Sequence, residues 1–114
     1  MGTKYYAKKA SCRNGHVHDS RKEAYRCDEL HLLQKAGAIS KLEIQRRFEL
    51  IPSRKYIGMP NERRCEYKAD FVYEENGKLI VEDTKGFKTK DYIIKRKIFK
   101  DRYCQNGDVI FKES

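Results

Sequence analysis

The stretch 69-ADFVYEENGKLIVEDTKG-86 predicts a β-hairpin whose two strands carry acidic residues at the ends far from the turn. Asn76-Gly77 is a strong turn signal, because both residues tolerate the positive φ of a two-residue hairpin turn. The apolar residues on either side predict strands over 65–75 and 78–85. The second strand starts with an apolar run but ends in charged and polar residues: Glu82, Asp83, Thr84 and Lys85.

Side-chain alternation places part of this charge on one face of the hairpin. Asp83 and Lys85 point to the same face of their strand, and Glu82 points to the other. Asp70 and Asp83 lie at equal distances from the turn, so they face each other, or sit one step apart if the register is bulged. We therefore expect Asp70, Asp83 and Lys85 to converge at one end of a sheet.

Two facing carboxylates have a specific chemical use. They repel each other unless a proton or a cation lies between them, and a hard divalent ion such as Mg²⁺ satisfies both. Water bound to such an ion has a lowered pKa and becomes a usable nucleophile. Lys85 could orient that water or stabilise negative charge on a phosphate. This pattern favours phosphodiester hydrolysis; the alternative is a solvated strand end with an Asp–Lys ion pair, which contributes little stability.

The rest of the chain predicts one α/β domain. A helix over 20–36 ends at Gly37, which is suited to a C-terminal cap. A strand over 41–51 is closed by Pro52, and a loop over 53–64 leads to the hairpin. A basic helix over 90–103 and a short strand over 109–111 follow. The predicted order is helix, three strands, helix, strand with a mixed central sheet, and residues 1–14 form a basic N-terminal arm or an edge strand.

Composition points to a polyanionic partner. The chain has 114 residues and a net charge of +9, from 26 basic and 17 acidic residues, which suggests a nucleic acid. Apolar residues at 39% favour a folded protein over a disordered one. No apolar run fits a membrane span or a signal region, so we expect a cytoplasmic protein with free thiols. A zinc site is a weaker alternative, because its ligands lack finger spacing: Cys12, His16, His18 and Cys27.

The ordered set of motifs resembles a known superfamily. Ala69-Asp70, a hairpin and then "VEDTKG" at 81–86 are similar to the PD-(D/E)xK nuclease signature. "GHVHDSRKEA" at 15–24 and "LHLLQKAGAISKLEIQRRFELIP" at 30–52 resemble a small phage-borne group of that superfamily, described as Holliday junction resolvases or recombination endonucleases. The resemblance covers roughly residues 8–112, and it implies a restriction-endonuclease-like core.

The resemblance also implies site residues. It assigns metal binding to Asp70 and Asp83, with Mg²⁺ or Mn²⁺ as the cofactor and the Thr84 carbonyl as a further ligand. Lys85 matches the motif lysine. Glu23 matches a first-helix glutamate that approaches the metal, although Ser20-x-x-Glu23 is also a capping box in which Glu23 serves the helix end.

Some positions depart from the motif or stand outside it. Ala69 replaces the motif proline, and Asp83 stands where many relatives have glutamate. Glu82 faces away from the predicted site, so we expect it to be structural or a partner for a basic residue. Gln45 matches a glutamine that contacts substrate or the site.

The function that follows is DNA cleavage. Basic residues of the 53–64 loop and the last helix are candidates for gripping phosphates: Arg54, Lys55, Arg63, Arg64 and Lys97. We expect a metal-dependent DNA endonuclease of phage type that acts in the host cytoplasm on branched DNA such as Holliday junctions. It would be a homodimer, since two symmetric incisions need two sites related by a two-fold axis. The alternative is a non-catalytic nucleic-acid-binding module on a nuclease-like fold.

Overall fold

The computed structural model describes residues 10–13, 15, 17–18 and 20–114. The elements in chain order are β1 (Ala10–Ser11), β2 (Val17–His18), α1 (Arg21–Lys35), β3 (Ser40–Ile44), β4 (Arg47–Ile51), β5 (Cys65–Lys68), β6 (Phe71–Glu75), β7 (Lys78–Asp83), α2 (Lys90–Tyr103) and β8 (Val109–Glu113). Residues 1–9 of the predicted basic arm lie outside the described part; Ala10–Ser11 pairs with β2.

The central sheet has the strand order β3-β6-β7-β8. The β3–β6 and β6–β7 pairs are antiparallel, and β7 and β8 are parallel because α2 carries the chain back across the sheet. The predicted α/β class with a mixed sheet is therefore confirmed. The last strand runs two residues further than predicted and ends at Glu113.

The sheet is covered on both faces, one helix to each. Alternation along β6 sends Phe71 and Tyr73 towards α1, where they join Cys27 and Leu30 of that helix in one core cluster. The other face packs against α2 in a second cluster built from Phe48, Leu50, Tyr67, Ala69, Val72, Val81, Tyr92 and Phe99. Because β7 alternates in the same way, Val81 and Asp83 lie on the α2 side.

Local signals set the helix ends where the sequence predicts them. The Ser20 hydroxyl accepts a hydrogen bond from the Glu23 amide at 3.2 Å, which caps the start of α1. Gly37 follows the end of α1 with φ +84°, a conformation that favours glycine. Thr89 caps α2 by accepting from the Tyr92 amide at 3.1 Å. Among the described residues, neither helix has the length and apolar character needed to cross a membrane.

Two predicted strands are each broken in the middle, which corrects the sequence analysis. The strand predicted over 41–51 divides into β3 and β4, and the strand over 65–75 divides into β5 and β6. Two backbone hydrogen bonds of 2.9 Å, from Gln45 N to Asp70 O and from Ala69 N to Arg46 O, keep the two segments paired across the break. β4 and β5 therefore form a separate two-stranded ribbon that leaves the central sheet beside Asp70.

The four cysteines are thiols and not disulfides in the structure, as expected. Cys12 and Cys27 are buried with their Sγ atoms 3.4 Å apart, and burial raises the pKa of Cys27 to about 12, which disfavours the thiolate that zinc requires. His16 and the side chain of His18 lie outside the described residues.

Candidate active site

The β6–β7 hairpin brings two aspartates face to face. Asn76 and Gly77 adopt φ +53° and +76°, as the two-residue turn requires. The resulting register pairs Phe71 with Glu82, and its next step places Asp70 opposite Asp83. Both aspartates are buried. The predicted convergence of these carboxyl groups at one end of the sheet is therefore what the structure shows.

Asp70 is tied to the residue that follows β7. Its Oδ2 accepts hydrogen bonds from the Thr84 backbone amide at 2.9 Å and from the Thr84 hydroxyl at 3.1 Å. Thr84 thus enters the site through its amide and hydroxyl, which fix the orientation of the Asp70 carboxyl. Its carbonyl was the atom assigned to the metal by the resemblance.

Asp83 has one oxygen that is satisfied and one that is not. The Tyr67 hydroxyl donates a short hydrogen bond to Asp83 Oδ2. Asp83 Oδ1 is buried and has no hydrogen-bond donor among the described residues; it lies 3.5 Å from Lys85 Nζ. The Lys85 charge compensates this oxygen in part, but the oxygen receives no hydrogen bond from the described residues and can accept a further ligand.

Burial and the neighbouring carboxyl hold a proton at this pair. Desolvation, and after it the Asp70 carboxyl, raise the pKa of Asp83 to about 8, against smaller lowering effects of Lys85 and the Tyr67 hydroxyl. Asp83 therefore holds a proton near neutral pH when no divalent cation is bound. A divalent ion would replace that proton, and the unsatisfied Oδ1 fits such a ligand. Asp70 and Asp83 are the residues that could hold it.

Lys85 stands between the acid pair and solvent. Its side chain is 30% exposed, and its ammonium lies 5.1 Å from the centre of the Tyr92 ring. The ring of Tyr92 and the carboxyl of Asp83 together hold the amine at the edge of the site. From there the amine can reach both the acid pair and a ligand that arrives from solvent.

Glu23 lies in the first turn of α1. No group of three His, Cys, Asp or Glu side chains that could hold a metal occurs among the described residues. Glu23 is buried in α1, which covers the opposite face of the sheet from Val81 and Asp83. Its backbone amide forms the cap with Ser20, as the capping-box interpretation requires.

Glu82 has the structural role that was expected for it. This fully buried carboxylate accepts from Arg26 Nε at 2.5 Å, from the Tyr73 hydroxyl at 2.6 Å and from the Ser114 hydroxyl at 3.0 Å. Burial alone would raise the pKa of Glu82, but these hydrogen bonds lower it below its ordinary value. Glu82 therefore anchors α1 to the sheet.

The remaining predicted residues lie around the strand break and on the surface. Gln45 has φ +57° and binds the Asp70 carbonyl through its backbone amide, so it adjoins the acid pair. Lys97 is exposed on α2. The four basic residues of the segment that joins β4 to β5 are also exposed: Arg54, Lys55, Arg63 and Arg64. They lie on a different part of the chain from the acid pair.

Tyr67 is the site residue that sequence reasoning missed. Along an unbroken strand, Tyr67 and Asp70 would point to opposite faces. The break at Ala69–Asp70 brings them to the same side, as the shared cluster of Tyr67, Ala69 and Val72 shows. No local residue pattern indicates that break, so the sequence could not identify Tyr67 as a residue of the site.

Comparison with known proteins gives a family for the chain. A family model described as "Protein of unknown function (DUF1064)" matches residues 2–113. No curated protein matches the chain, and no solved structure matches it. Because the family model spans nearly the whole sequence, the chain belongs to the DUF1064 family.

Proposed function

We propose that this protein is a metal-dependent DNA endonuclease on a restriction-endonuclease-like core, selective for branched DNA and acting in the cytoplasm as a homodimer. The observation that carries the proposal is the facing pair Asp70–Asp83 with an unsatisfied buried Oδ1 and Lys85 Nζ 3.5 Å away. A stable fold has little use for two buried carboxyl groups in contact, because without a divalent cation one of them must be protonated near neutral pH, which costs free energy. A phosphodiesterase uses that arrangement to bind Mg²⁺ or Mn²⁺.

Each residue has a definable part in hydrolysis. The Thr84 amide and hydroxyl hold Asp70, and the Tyr67 hydroxyl holds Asp83 through Oδ2 while Oδ1 stays available. A divalent ion bound by the two carboxylates supplies Lewis-acid chemistry at the scissile phosphate. The Lys85 amine orients the attacking water or stabilises the charge that grows on the phosphate oxygens.

The net charge of +9 supports a polyanionic substrate. Exposed basic residues of the β4–β5 loop and Lys97 of α2 are the proposed phosphate contacts. A four-way junction has two-fold symmetry, and a dimer with two acid pairs would match it.

The test is incision of end-labelled DNA by the unmodified chain. The substrates are a four-way junction, a linear duplex and a flap, each with Mg²⁺ and with EDTA. We expect paired symmetric nicks in the junction that require Mg²⁺. Asp83→Asn and Lys85→Ala should each lower the rate about 10²-fold or more while junction affinity changes only a few-fold. Undiminished cleavage by either variant would contradict the proposal.

A non-catalytic nucleic-acid-binding module is the second candidate. Tyr67 and Thr84 already donate to the acid pair, and no third carboxylate joins it among the described residues. Both observations suit a pair that holds a proton permanently. This candidate predicts junction binding without incision in either Mg²⁺ or Mn²⁺, and binding that Asp83→Asn does not change.

A further inference from the structure

The segment between β4 and β5 presents an apolar end to solvent. All twelve residues from 53 to 64 are exposed. Within them Ile57 is 101% exposed and Met59 63% exposed, and Tyr56 is exposed beside them. Single exposed apolar residues are common, but a contiguous group at the end of a projecting ribbon marks a contact surface. We call residues 55–61 the tip.

The tip is ordered by its own hydrogen bonds. Arg54 and Glu62 exchange two backbone hydrogen bonds, of 3.0 and 2.9 Å, which close the base of the tip. The Tyr56 amide donates to Asn61 Oδ1 at 3.3 Å, and Gly58 takes φ +75° at the turn. A closed turn of this kind presents Ile57 and Met59 in a fixed direction, so little conformational entropy is lost when they make contact.

The ribbon that carries the tip is braced against α2. Arg102 donates to the Leu50 carbonyl at 2.7 Å, and the Tyr103 hydroxyl donates to the Glu49 carbonyl at 2.6 Å. The rings of Phe48 and Phe99 meet edge to face with centroids 5.0 Å apart. The other strand of the ribbon carries Tyr67, which binds Asp83. The base of the ribbon is thus tied both to α2 and, through Tyr67, to the acid pair.

The charges around the tip favour binding of a polyanion. Four basic residues and one acidic residue, Glu62, lie within 53–64. Arg64 forms an ion pair with Glu66 at 2.9 Å, whereas Arg54, Lys55 and Arg63 form none with any residue that the structure describes. Cations on both sides of an apolar tip match the phosphates on both sides of a base stack.

We infer that the tip is a nucleic-acid wedge: Ile57 and Met59 insert between base pairs while Arg54, Lys55 and Arg63 hold the flanking phosphates. Apolar side chains that enter a base step in this way unstack it and bend the duplex. From Tyr67 to the tip the ribbon spans about 20–25 Å, at about 3.3 Å per residue. The inference rests on the proposed function for the identity of the ligand. The wedge would distort the DNA at a distance from the bond that is cleaved.

The experiment reads base stacking in the absence of cleavage. The full chain with Asp83→Asn is titrated, in Mg²⁺, onto a four-way junction that carries 2-aminopurine at its branch point. We expect its fluorescence to rise about two-fold or more as the base unstacks. Adding Ile57→Ser and Met59→Ser should remove more than half of that rise at saturating protein. Ile94→Ser, which alters a 58% exposed isoleucine on α2, is the matched control and should leave the rise unchanged.

The outcomes separate the wedge from the nuclease. An equal rise with the tip variant at saturation, or no rise with the parent, overturns the wedge while Mg²⁺-dependent incision can still support the nuclease. A tip-dependent rise from a chain that never incises DNA supports the wedge and contradicts the nuclease. If the tip variant instead loses only self-association or binding to anionic vesicles, the tip contacts protein or lipid and the wedge is wrong. Equal melting temperatures of parent and variant establish that the fold is intact.

Discussion

Asp83 shows how its surroundings determine the charge of a single side chain. Burial and the Asp70 carboxyl favour its protonated form, whereas Lys85 and the Tyr67 hydroxyl favour the ionised form. The first pair of effects is larger, so the pKa of Asp83 rises. A group held in this state is ready to exchange a proton for a cation, because the ion removes the repulsion that raised the pKa.

This shift makes the stability of the metal-free protein depend on pH. The pKa of Asp83 rises from an ordinary value of 3.8 to about 8 in the fold, so between these values the folded chain binds more protons than the unfolded chain. The free energy of unfolding therefore falls as pH rises from about 4 to about 8. Urea denaturation in EDTA at pH 5 and pH 8 should show this loss for the unmodified chain and much less for Asp83→Asn. Parallel pH dependence in the two proteins would show that Asp83 ionises normally.

The Arg26–Glu82 pair gives a prediction for folding alone. Arg26→Met removes the cation from a fully buried carboxylate, which should destabilise the chain by about 3–5 kcal/mol. Lys22→Met, on an exposed residue of the same helix, should cost less than about 1 kcal/mol. Urea denaturation compares the two variants. Similar midpoints would mean that Glu82 does not depend on Arg26.

At the scale of the elements, local signals explain what the sequence could predict. Caps at Ser20 and Thr89 and the Asn76-Gly77 turn fix both helices and the register that sets Asp70 against Asp83. Those determinants lie within a few residues of the features they control. The strand breaks depend instead on hydrogen bonds between distant parts of the chain, such as Gln45 to Asp70.

The break has a consequence for side-chain faces that alternation could not reveal. Along an unbroken strand Ile44 and Phe48 would share a face, yet Ile44 packs in the α1 cluster and Phe48 in the α2 cluster. The change of face occurs at Gln45, which has a φ of +57°. Because this residue is not a glycine, the sequence does not indicate the positive φ. The role of Tyr67 and the separate β4–β5 ribbon were unpredictable for the same reason.

Substitutions at Gln45 test the break and the role of its side chain separately. Gln45→Gly suits the positive φ, so the free energy of unfolding should change by less than about 1 kcal/mol, because lower strain offsets the greater freedom of the unfolded chain. Gln45→Val should destabilise by about 1–2 kcal/mol, since a β-branched residue resists this conformation. If Gln45 contacts substrate, the glycine variant should incise DNA more slowly at full stability. Equal stability of both variants would argue that the break is absent in solution.

At the scale of the whole molecule, only some of the basic residues behind the net charge of +9 are available to bind DNA. Some basic residues are engaged in ion pairs, such as Lys41 with Glu74 at 3.2 Å and Lys78 with Asp108 at 3.9 Å. The β4–β5 loop holds basic residues without such partners among those described. We expect binding to DNA to depend on this loop more than on total charge, because its cations lie close together on one exposed segment.

Salt dependence measures that difference. Replacing the three loop cations with alanine should reduce the slope of log affinity against log salt concentration by about 2–3 units. The variant carries Arg54→Ala, Lys55→Ala and Arg63→Ala. A control that loses the same charge elsewhere should keep the slope nearly unchanged: Lys35→Ala, Lys41→Ala and Lys78→Ala. Equal slopes for the two triple variants would show that DNA binding depends only on the total charge of the protein.

The most direct test is whether Asp70 and Asp83 hold a divalent cation. Mn²⁺ is titrated into the DNA-free protein, and free Mn²⁺ is read from its electron paramagnetic resonance signal, with Mg²⁺ as competitor. We predict that the unmodified chain and Glu74→Gln, at a half-buried carboxylate near the opposite end of β6, both deplete the signal and release Mn²⁺ to Mg²⁺. Asp83→Asn should leave the signal as in protein-free buffer. Equal depletion by Asp83→Asn and the unmodified chain would contradict the account.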